Sequence, residues 1–190
     1  DPRWLVWGSG VTGLAVMTKA VSGLMAALVW VLALVWLRRW PYRWRHVLLS
    51  AAVFLALVAP WHAVEIFRHG QQFIHNYFGL DVVERATVRL AGSPQVHGLM
   101  WYVKVIFRDL FPWGGFLLPA IALGFWQAGR TRDDVTRTLR VILVAAVVPF
   151  VVYSLAATKL DWYILPTDLA ACLLLGWFGS TLLDGRLPRW

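Results

Sequence analysis

The chain has 190 residues, of which 59% are hydrophobic and 15% are charged, and its formal net charge is +8. A water-soluble domain of this size would expose much of that apolar surface, so the composition excludes an ordinary soluble protein and indicates several membrane spans. Much of the positive charge lies in two short loops between apolar runs, so we expect no nucleic-acid partner.

Six apolar stretches are predicted to cross the membrane as helices, because lipid offers the backbone no hydrogen-bond partners. In chain order they cover residues 4–17, 21–37, 47–61, 111–126, 141–157 and 163–183. The first is shorter than the ~20 residues of an ordinary span and is rich in glycine. The predicted fold class is therefore all-α, a polytopic transmembrane helical bundle with five or six spans.

Positive charge between the predicted spans is unevenly distributed. Residues 38–46 include four arginines and residues 127–140 include four more, whereas residues 62–110 spread five basic residues over 49 positions. The positive-inside rule places the two short connections in the cytoplasm. The long loop 62–110, the break at 18–20 and the turn at 158–162 are then expected to be extracytoplasmic.

The long extracytoplasmic loop is predicted to carry interfacial helices. Apolar residues recur at helical spacing over 61–78, which is typical of an amphipathic helix in the headgroup region. A second helix is predicted near 81–90 and a third over 98–110. On the second helix Asp81, Arg85 and Arg89 share one stripe. On the third helix Trp101, Lys104 and Arg108 share one face.

This topology brings scattered cations to one membrane face. They are Lys19, Arg85, Arg89, Lys104, Arg108 and Lys159. Two explanations stay open: each cation snorkels to the headgroups and attracts anionic lipid, or the set binds one anionic head group, for which a phosphate fits best. At an effective dielectric of about 20, a charge about 4 Å from a phosphate oxygen contributes roughly 4 kcal/mol before desolvation.

Residues 8–13, Gly-Ser-Gly-Val-Thr-Gly, match the G-x-G-x-x-G pattern of dinucleotide-binding proteins. That pattern binds a dinucleotide only between a strand and a helix, with an acidic residue ~20 positions further on, and here the next acid is Glu65. We interpret Ser9 and Gly13, four residues apart, as small residues at a helix–helix contact.

His62, Glu65 and His69 fall at i, i+3 and i+7, so one helical face would offer two imidazoles and a carboxylate. Such a set can hold a divalent metal, but the spacing is not a zinc signature. The polar side of an interfacial helix would look the same. The sequence therefore requires no cofactor, and a divalent metal stays open.

A series of motifs resembles bacterial membrane glycosyltransferases of the GT-C superfamily, related to the protein O-mannosyltransferases and the lipid A aminoarabinose transferase. Residues 13–19, GLAVMTK, are similar to the family's "GLAxLTKG", and residues 158–166, TKLDWYILP, to its "SKLPxYLLP". The motifs between them are Pro60-Trp61, Tyr77-Phe78 with Arg85, Trp101-Tyr102 and Pro112-Trp113. Together they extend over nearly the whole chain.

The resemblance implies an enzyme of the bacterial inner membrane, surrounded by membrane lipids. It would move a sugar from a polyprenyl-phosphate carrier to a glycan, lipid or protein acceptor outside the cytoplasm. Cations would stabilise the charge that grows on the lipid phosphate as the sugar leaves. The donor-phosphate ligands implied are Lys19, Arg85, Lys159 and Tyr163, with Arg89, Tyr102 and Lys104 as additional candidates.

The chain departs from the family pattern at Ala20, at Asp81-Val82 and at Asp161, which stands in place of a proline. We expect Asp161 to cap the following helix. The family's principal acid lies in a first outer loop that would precede Asp1, so residues 1–190 are expected to be a partial membrane domain without the N-terminal catalytic part. Asp81 is the leading candidate for a supporting acid.

The main alternative is a transporter or flippase for a lipid-linked or anionic substrate, which would also need several spans and outer cations. Such a protein is expected to bury ionisable residues within its spans, and here the span interiors are almost free of charge apart from Asp168. A non-catalytic membrane scaffold is a third possibility. It would leave the ordered motifs unexplained.

Overall fold

The computed structural model of the chain describes residues 2–38, 40–84, 97–130 and 133–185. Nearly all of these residues are helical, and no strand occurs within these ranges. The all-α prediction is therefore confirmed. The chain divides into two compact units, residues 1–88 and residues 89–190.

The first unit is built from three α-helices. They are α1 (Arg3–Lys19), α2 (Met25–Leu37) and α3 (Trp44–Ile74). A 3-10 turn, Ala20–Leu24, joins α1 to α2, and a π-helical segment, His75–Glu84, follows α3. α1 packs along α3, where a Cβ placed on Gly13 would lie 3.2 Å from a side-chain carbon of Leu57. This close approach agrees with the helix-contact interpretation of the 8–13 motif.

α1 ends at Lys19, within the break predicted at residues 18–20. Ala20 has a φ of +51°, and the chain then folds tightly against α1. A Cβ placed on Gly23 would lie 2.4 Å from the carbonyl carbon of Ala15. Only a glycine fits at that position, because any side chain would overlap the backbone of α1.

α3 contains a second break, at Gly70, whose φ of +49° and ψ of −125° lie outside the helical region. The single amphipathic helix predicted over 61–78 is therefore wrong. The helix of the preceding apolar stretch continues without interruption past residue 61 as far as Gly70. The helical segment that follows Gly70 runs in a new direction. We call the helical segments before and after Gly70 the two arms. The physical reason is that no residue from 61 to 69 breaks a helix, whereas glycine accepts a positive φ.

The second unit contains four α-helices. They are α4 (Trp101–Asp109), α5 (Leu117–Arg130), α6 (Asp134–Leu155) and α7 (Leu165–Leu183). Helices α5, α6 and α7 pack against one another around the buried side chains of Leu143 and Leu174. α4 is the third predicted loop helix, and it contacts the 3-10 turn Asp161–Ile164 that precedes α7. The second predicted helix, near 81–90, extends beyond the described residues.

Within the described ranges, four helical segments are long and apolar enough to cross a membrane. They are Arg3–Leu37, Trp44–Gly79, Asp134–Leu155 and Asp161–Leu183, and a bent pair, Trp101–Asp109 with Trp113–Arg130, would be a fifth. A multi-pass helical architecture is therefore confirmed. With 17 and 13 residues, α1 and α2 are each shorter than a ~20-residue span, so the predicted division of this segment into two spans stays a prediction.

Candidate active site

The turn between α6 and α7, residues 156–164, contains the basic motif predicted to contact phosphate. Lys159 is buried in this turn, with 3% of its surface exposed. Its Nζ donates a 2.6 Å hydrogen bond to the carbonyl oxygen of Ala156, the C-cap residue of α6. The carboxyl end of a helix carries partial negative charge, which stabilises the ammonium there. Lys159 thus holds the end of α6 from inside the turn.

The carboxylate of Asp161 joins this turn to α4. Arg108 Nη1 lies 2.9 Å from Asp161 Oδ2, and Trp101 Nε1 donates to Asp161 Oδ1 at 3.2 Å. Arg108 also pairs through Nε with Asp109 Oδ1 at 2.8 Å. We call the three residues Trp101, Arg108 and Asp161 the clasp. Both oxygens of Asp161 are therefore engaged by side chains from one face of α4.

The prediction that Asp161 caps the following helix is wrong. The N-cap residue of α7 is Ile164, and that of the preceding 3-10 turn is Leu160, and neither position has a side-chain cap. A capping carboxylate must face backbone amides two or three residues further along the chain. The oxygens of Asp161 instead face the donors of Arg108 and Trp101 on α4.

Tyr102 fixes the same turn through its hydroxyl. The side chain is fully buried, and the hydroxyl donates to the carbonyl oxygen of Leu160 at 3.0 Å. That donor is therefore used within the protein. Tyr102 thus anchors the backbone between Lys159 and Asp161, and its predicted role as an additional phosphate ligand stays a prediction.

Tyr163 and Lys104 are the other predicted phosphate ligands in the second unit. The ring of Tyr163 lies 5.3 Å from the ring of Tyr153 on α6 and is partly exposed. Lys104 is exposed on α4, one helical turn before Arg108. α4 and the 156–164 turn therefore bring basic and tyrosine side chains to one corner of the unit.

The remaining predicted site residues are three phosphate ligands and the supporting acid Asp81. Lys19 is exposed at the last position of α1, in the first unit. Asp81 falls in the π-helical segment. Arg85 and Arg89 lie outside the described residues. The convergence of these residues with Lys159 stays a prediction.

His62, Glu65 and His69 do not gather around a common point. The ring of His62 packs among aromatic side chains, and its Nδ1 lies 2.8 Å from the carbonyl oxygen of Val58. His69 Nε2 lies 3.6 Å from Glu65 Oε2. Over the part of the chain that the structure describes, no group of three His, Cys, Asp or Glu side chains is placed to hold a metal ion.

Sequence reasoning missed the clasp, and it noted Asp168 inside a span without giving that residue a role. Asp168 lies in the first turn of α7 with 8% of its surface exposed, and neither carboxylate oxygen has a hydrogen-bond partner among the described residues. Two sequence signals pointed to these residues. An aspartate stands at position 161 where the family pattern has a proline, and an acid, Asp168, follows Pro166 by two residues.

The fold and this corner define a multi-pass helical membrane protein with a buried lysine in the turn between two packed helices. No family model matches the chain. It is 33% identical over 182 residues to the undecaprenyl phosphate-alpha-4-amino-4-deoxy-L-arabinose arabinosyl transferase of Erwinia tasmaniensis. It is 30% identical over 183 residues to the same kind of transferase from Sodalis glossinidius and 28% identical over 180 residues to one from Pseudomonas fluorescens.

These matches cover 93%, 95% and 93% of the chain but 30%, 31% and 30% of the relatives, in the same order. The chain thus spans about 30% of the length of its curated relatives. The crystal structure of ArnT from Cupriavidus metallidurans bound to undecaprenyl phosphate has the same fold, with a TM-score of 0.72 and 23% identity. That match covers 96% of this chain and 33% of ArnT. The predicted resemblance to aminoarabinose transferases is confirmed.

Proposed function

We propose that this chain is the carrier-phosphate binding part of a membrane glycosyltransferase. The enzyme takes a sugar from a polyprenyl-phosphate carrier and delivers it to lipid A, protein or another envelope acceptor. It acts at the extracytoplasmic face of the bacterial inner membrane. The observation that carries the proposal is the similarity over 93% of the chain to transferases named for an undecaprenyl phosphate-linked aminoarabinose.

The basic side chains have a defined task in such a reaction. When the sugar leaves, negative charge grows on the carrier phosphate, and cations placed there stabilise the transition state more than the ground state. We assign this task to Lys19, Arg85 and Lys159, with Tyr163 hydrogen-bonding the phosphate or the sugar. Asp81 is the supporting acid.

The buried position of Lys159 is compatible with this role. An ammonium group has three N–H donors, so the bond to the carbonyl oxygen of Ala156 uses one of the three. The same bond fixes where the charge is presented. A cation that is held in place before the reaction loses little energy to reorganisation as the phosphate charge develops.

The curated relatives are named transferases, which favours transfer over transport. A reconstituted assay of the complete protein tests this directly. In liposomes that contain a polyprenyl-phosphate carrier with a radiolabelled sugar, we expect the label to move to the acceptor and unglycosylated carrier to accumulate. Movement of intact labelled carrier across the bilayer, with the sugar–phosphate bond unbroken, would instead identify a transporter.

A phosphate site that includes both Lys19 and Lys159 requires the two residues to lie on the same side of the membrane. Single cysteines at the exposed positions 19 and 162, in a Cys172→Ala background, are expected to react with a membrane-impermeant thiol reagent added from the extracytoplasmic side. Cysteines placed in the arginine-rich loops are the controls and should be protected. Labelling of positions 19 and 162 from opposite sides would eliminate the common site.

A further inference from the structure

The break at Gly70 brings two parts of the first unit together that an unbroken helix would keep apart. At a rise of ~1.5 Å per residue, Trp61 and Phe73 would be ~18 Å apart along a straight helix, and His62 and Tyr77 ~22 Å apart. Their ring centroids are instead separated by 5.7 Å and 5.1 Å. The arm that follows Gly70 therefore folds back beside the arm that precedes it.

A cavity of about 310 Å³ lies between these arms. We call it the Gly70 cavity, and it is lined by Glu65, His69, Gln72, Phe73, Asn76 and Tyr77. The first two of these residues precede Gly70 and the other four follow it. A polar stripe on a single interfacial helix does not account for such a cavity, because the lining residues come from both sides of the break.

One part of the lining is aromatic. The rings of Phe73 and Tyr77 are stacked, with centroids 5.1 Å apart and planes inclined by 22°. Tyr77 is supported at its edge by His62 and Phe78, at 5.1 Å and 5.0 Å. Stacked and edge-on ring contacts of this kind hold aromatic side chains in a fixed orientation. The cavity thus has a flat and apolar surface of defined geometry.

The other part of the lining consists of planar polar groups. The amides of Gln72 and Asn76 form no hydrogen bond with another described residue, and both side chains are exposed. Glu65 adds a carboxylate, which lies 3.6 Å from the imidazole of His69. Amides offer both donors and acceptors, and a carboxylate accepts up to two hydrogen bonds per oxygen. These groups are suited to a ligand rich in hydroxyl groups.

The chemistry of the lining excludes several other ligands. Among the residues that the structure describes, no Lys or Arg side chain lines the cavity, so a phosphate or another anion would lie beside the Glu65 carboxylate without a lysine or arginine partner from these residues. A fatty chain would make no use of the hydrogen-bond donors and acceptors of the amides and the carboxylate. A volume of about 310 Å³ is near the lower limit of the ~300–1,000 Å³ of small-molecule sites. A single ring with one apolar face and several hydroxyl groups satisfies all of these conditions.

We propose that the Gly70 cavity binds one sugar ring. The C–H face of the ring packs against Tyr77 and Phe73, and its hydroxyl groups hydrogen-bond with Gln72, Asn76 and Glu65. The existence of this site follows from its own geometry. Its place in catalysis rests on the proposed function, because both the carrier-linked donor and a glycan acceptor would present such a ring.

Direct binding tests the site without any need for turnover. The probe is methyl L-arabinopyranoside added to the complete purified protein, with saturation-transfer NMR as the measurement. We expect the wild-type protein to give a binding signal. Gln72→Ala should lower the affinity about tenfold, because each lost hydrogen bond costs roughly a factor of ten. The double variant Gln72→Ala with Asn76→Ala should give no signal. The matched control is Gln71→Ala, an exposed neighbour that does not line the cavity, and it should bind as the wild type does.

Sugar transfer by the same variants distinguishes the two sources of the ring. A raised KM for the carrier-linked sugar in Glu65→Gln and Gln72→Ala assigns the site to the donor, and a raised KM for the acceptor assigns it to the acceptor. Unchanged NMR signals and unchanged KM values in these variants, with Gln71→Ala as the reference, would overturn the proposal. Absence of transfer by the wild-type protein with a normal NMR signal would overturn the proposed function and leave the sugar site intact.

Discussion

Arg108 and Asp161 form an ion pair at 2.9 Å across 53 residues of sequence. The pair connects the amphipathic helix α4 to the turn in which Lys159 is buried. Because Trp101 binds the other oxygen of the same carboxylate, the turn is held at two points of one helix face. The position of the basic side chain thus depends on a contact between remote segments.

We expect the residues of the clasp to act as one unit. Arg108→Ala and Asp161→Ala should each lower the rate of sugar transfer, and the double variant should be little worse than Asp161→Ala alone. Both partners are largely exposed, so the change in unfolding temperature should be small. The measurement is a double-mutant cycle on transfer rate and thermal unfolding. Additive losses in the double variant would show that the two side chains act separately.

Tyr102 provides a stability prediction for the same turn. Tyr102→Phe removes the hydroxyl that donates to the carbonyl oxygen of Leu160, which then keeps only its hydrogen bond from the Tyr163 amide, at a cost of about 1 kcal/mol. Thermal unfolding of the purified protein measures the effect. The matched control is Tyr42→Phe, whose hydroxyl has no hydrogen bond among the described residues and whose loss should be neutral. Equal unfolding temperatures for wild type and Tyr102→Phe would contradict the anchoring role.

Lys159 is expected to matter for the reaction beyond its role at the end of α6. Under the proposed function, Lys159→Met should lower kcat/KM for the carrier-linked sugar by about a hundredfold or more, because it removes a cation assigned to the charge that grows on the carrier phosphate. Lys159→Arg should keep part of the activity, because the charge is retained. Arg137→Met, which removes a cation paired with Asp134 at the other end of α6, is the control and should transfer normally. A Lys159→Met protein that unfolds earlier but transfers at the wild-type rate would limit Lys159 to helix capping.

The tight turn after α1 predicts a difference between two glycines. Gly23→Ala should destabilise the protein by about 3 kcal/mol or more, because the new methyl group would overlap the backbone of Ala15. Gly8→Ala should cause no loss, since nothing lies within 4 Å of a Cβ at that position. Unfolding temperature and yield of folded protein measure both effects. Similar stabilities for the two variants would disprove the close approach at Gly23.

The start of α6 predicts a pH-dependent contribution to stability. Hydrogen bonds from the side chain and the backbone amide of Thr136 lower the pKa of the Asp133 carboxyl below its usual value. A lowered pKa in the folded state means that the stabilisation is complete above the unfolded-state value of about 4 and is lost as the pH falls. Asp133→Ala should therefore lower the unfolding temperature at neutral pH. The difference in unfolding temperature between this variant and the wild type should become smaller as the pH falls toward 3.

Asp133→Asn is the matched variant for this prediction. Asparagine keeps the capping oxygen but has no carboxyl to titrate, so its difference from Asp133→Ala should be independent of pH. Thermal unfolding at a series of pH values measures all three proteins. A constant difference between wild type and Asp133→Ala from neutral to acidic pH would contradict the lowered pKa.

Hydropathy made the helical class of this protein predictable, because apolar runs near the thickness of a bilayer can satisfy their backbone only as helices. The helix that became α4 was predictable from its spacing, with Tyr102, Val105 and Ile106 buried on one face. The predicted helix over 61–78 was wrong because hydrophobic spacing continued through Gly70. A single glycine with a positive φ was enough to reverse the chain there.

The sequence by itself determined an all-α membrane protein, the positions of most helices and the resemblance to aminoarabinose transferases. These depend on local composition and on spacing within a few turns, which a single segment carries in full. Only the tertiary structure decided that Asp161 pairs with Arg108 instead of capping a helix, that Lys159 is buried, and that Gly70 creates a cavity. Each of these depends on which remote segment packs against the residue, and packing partners are chosen by the whole fold rather than by neighbouring sequence.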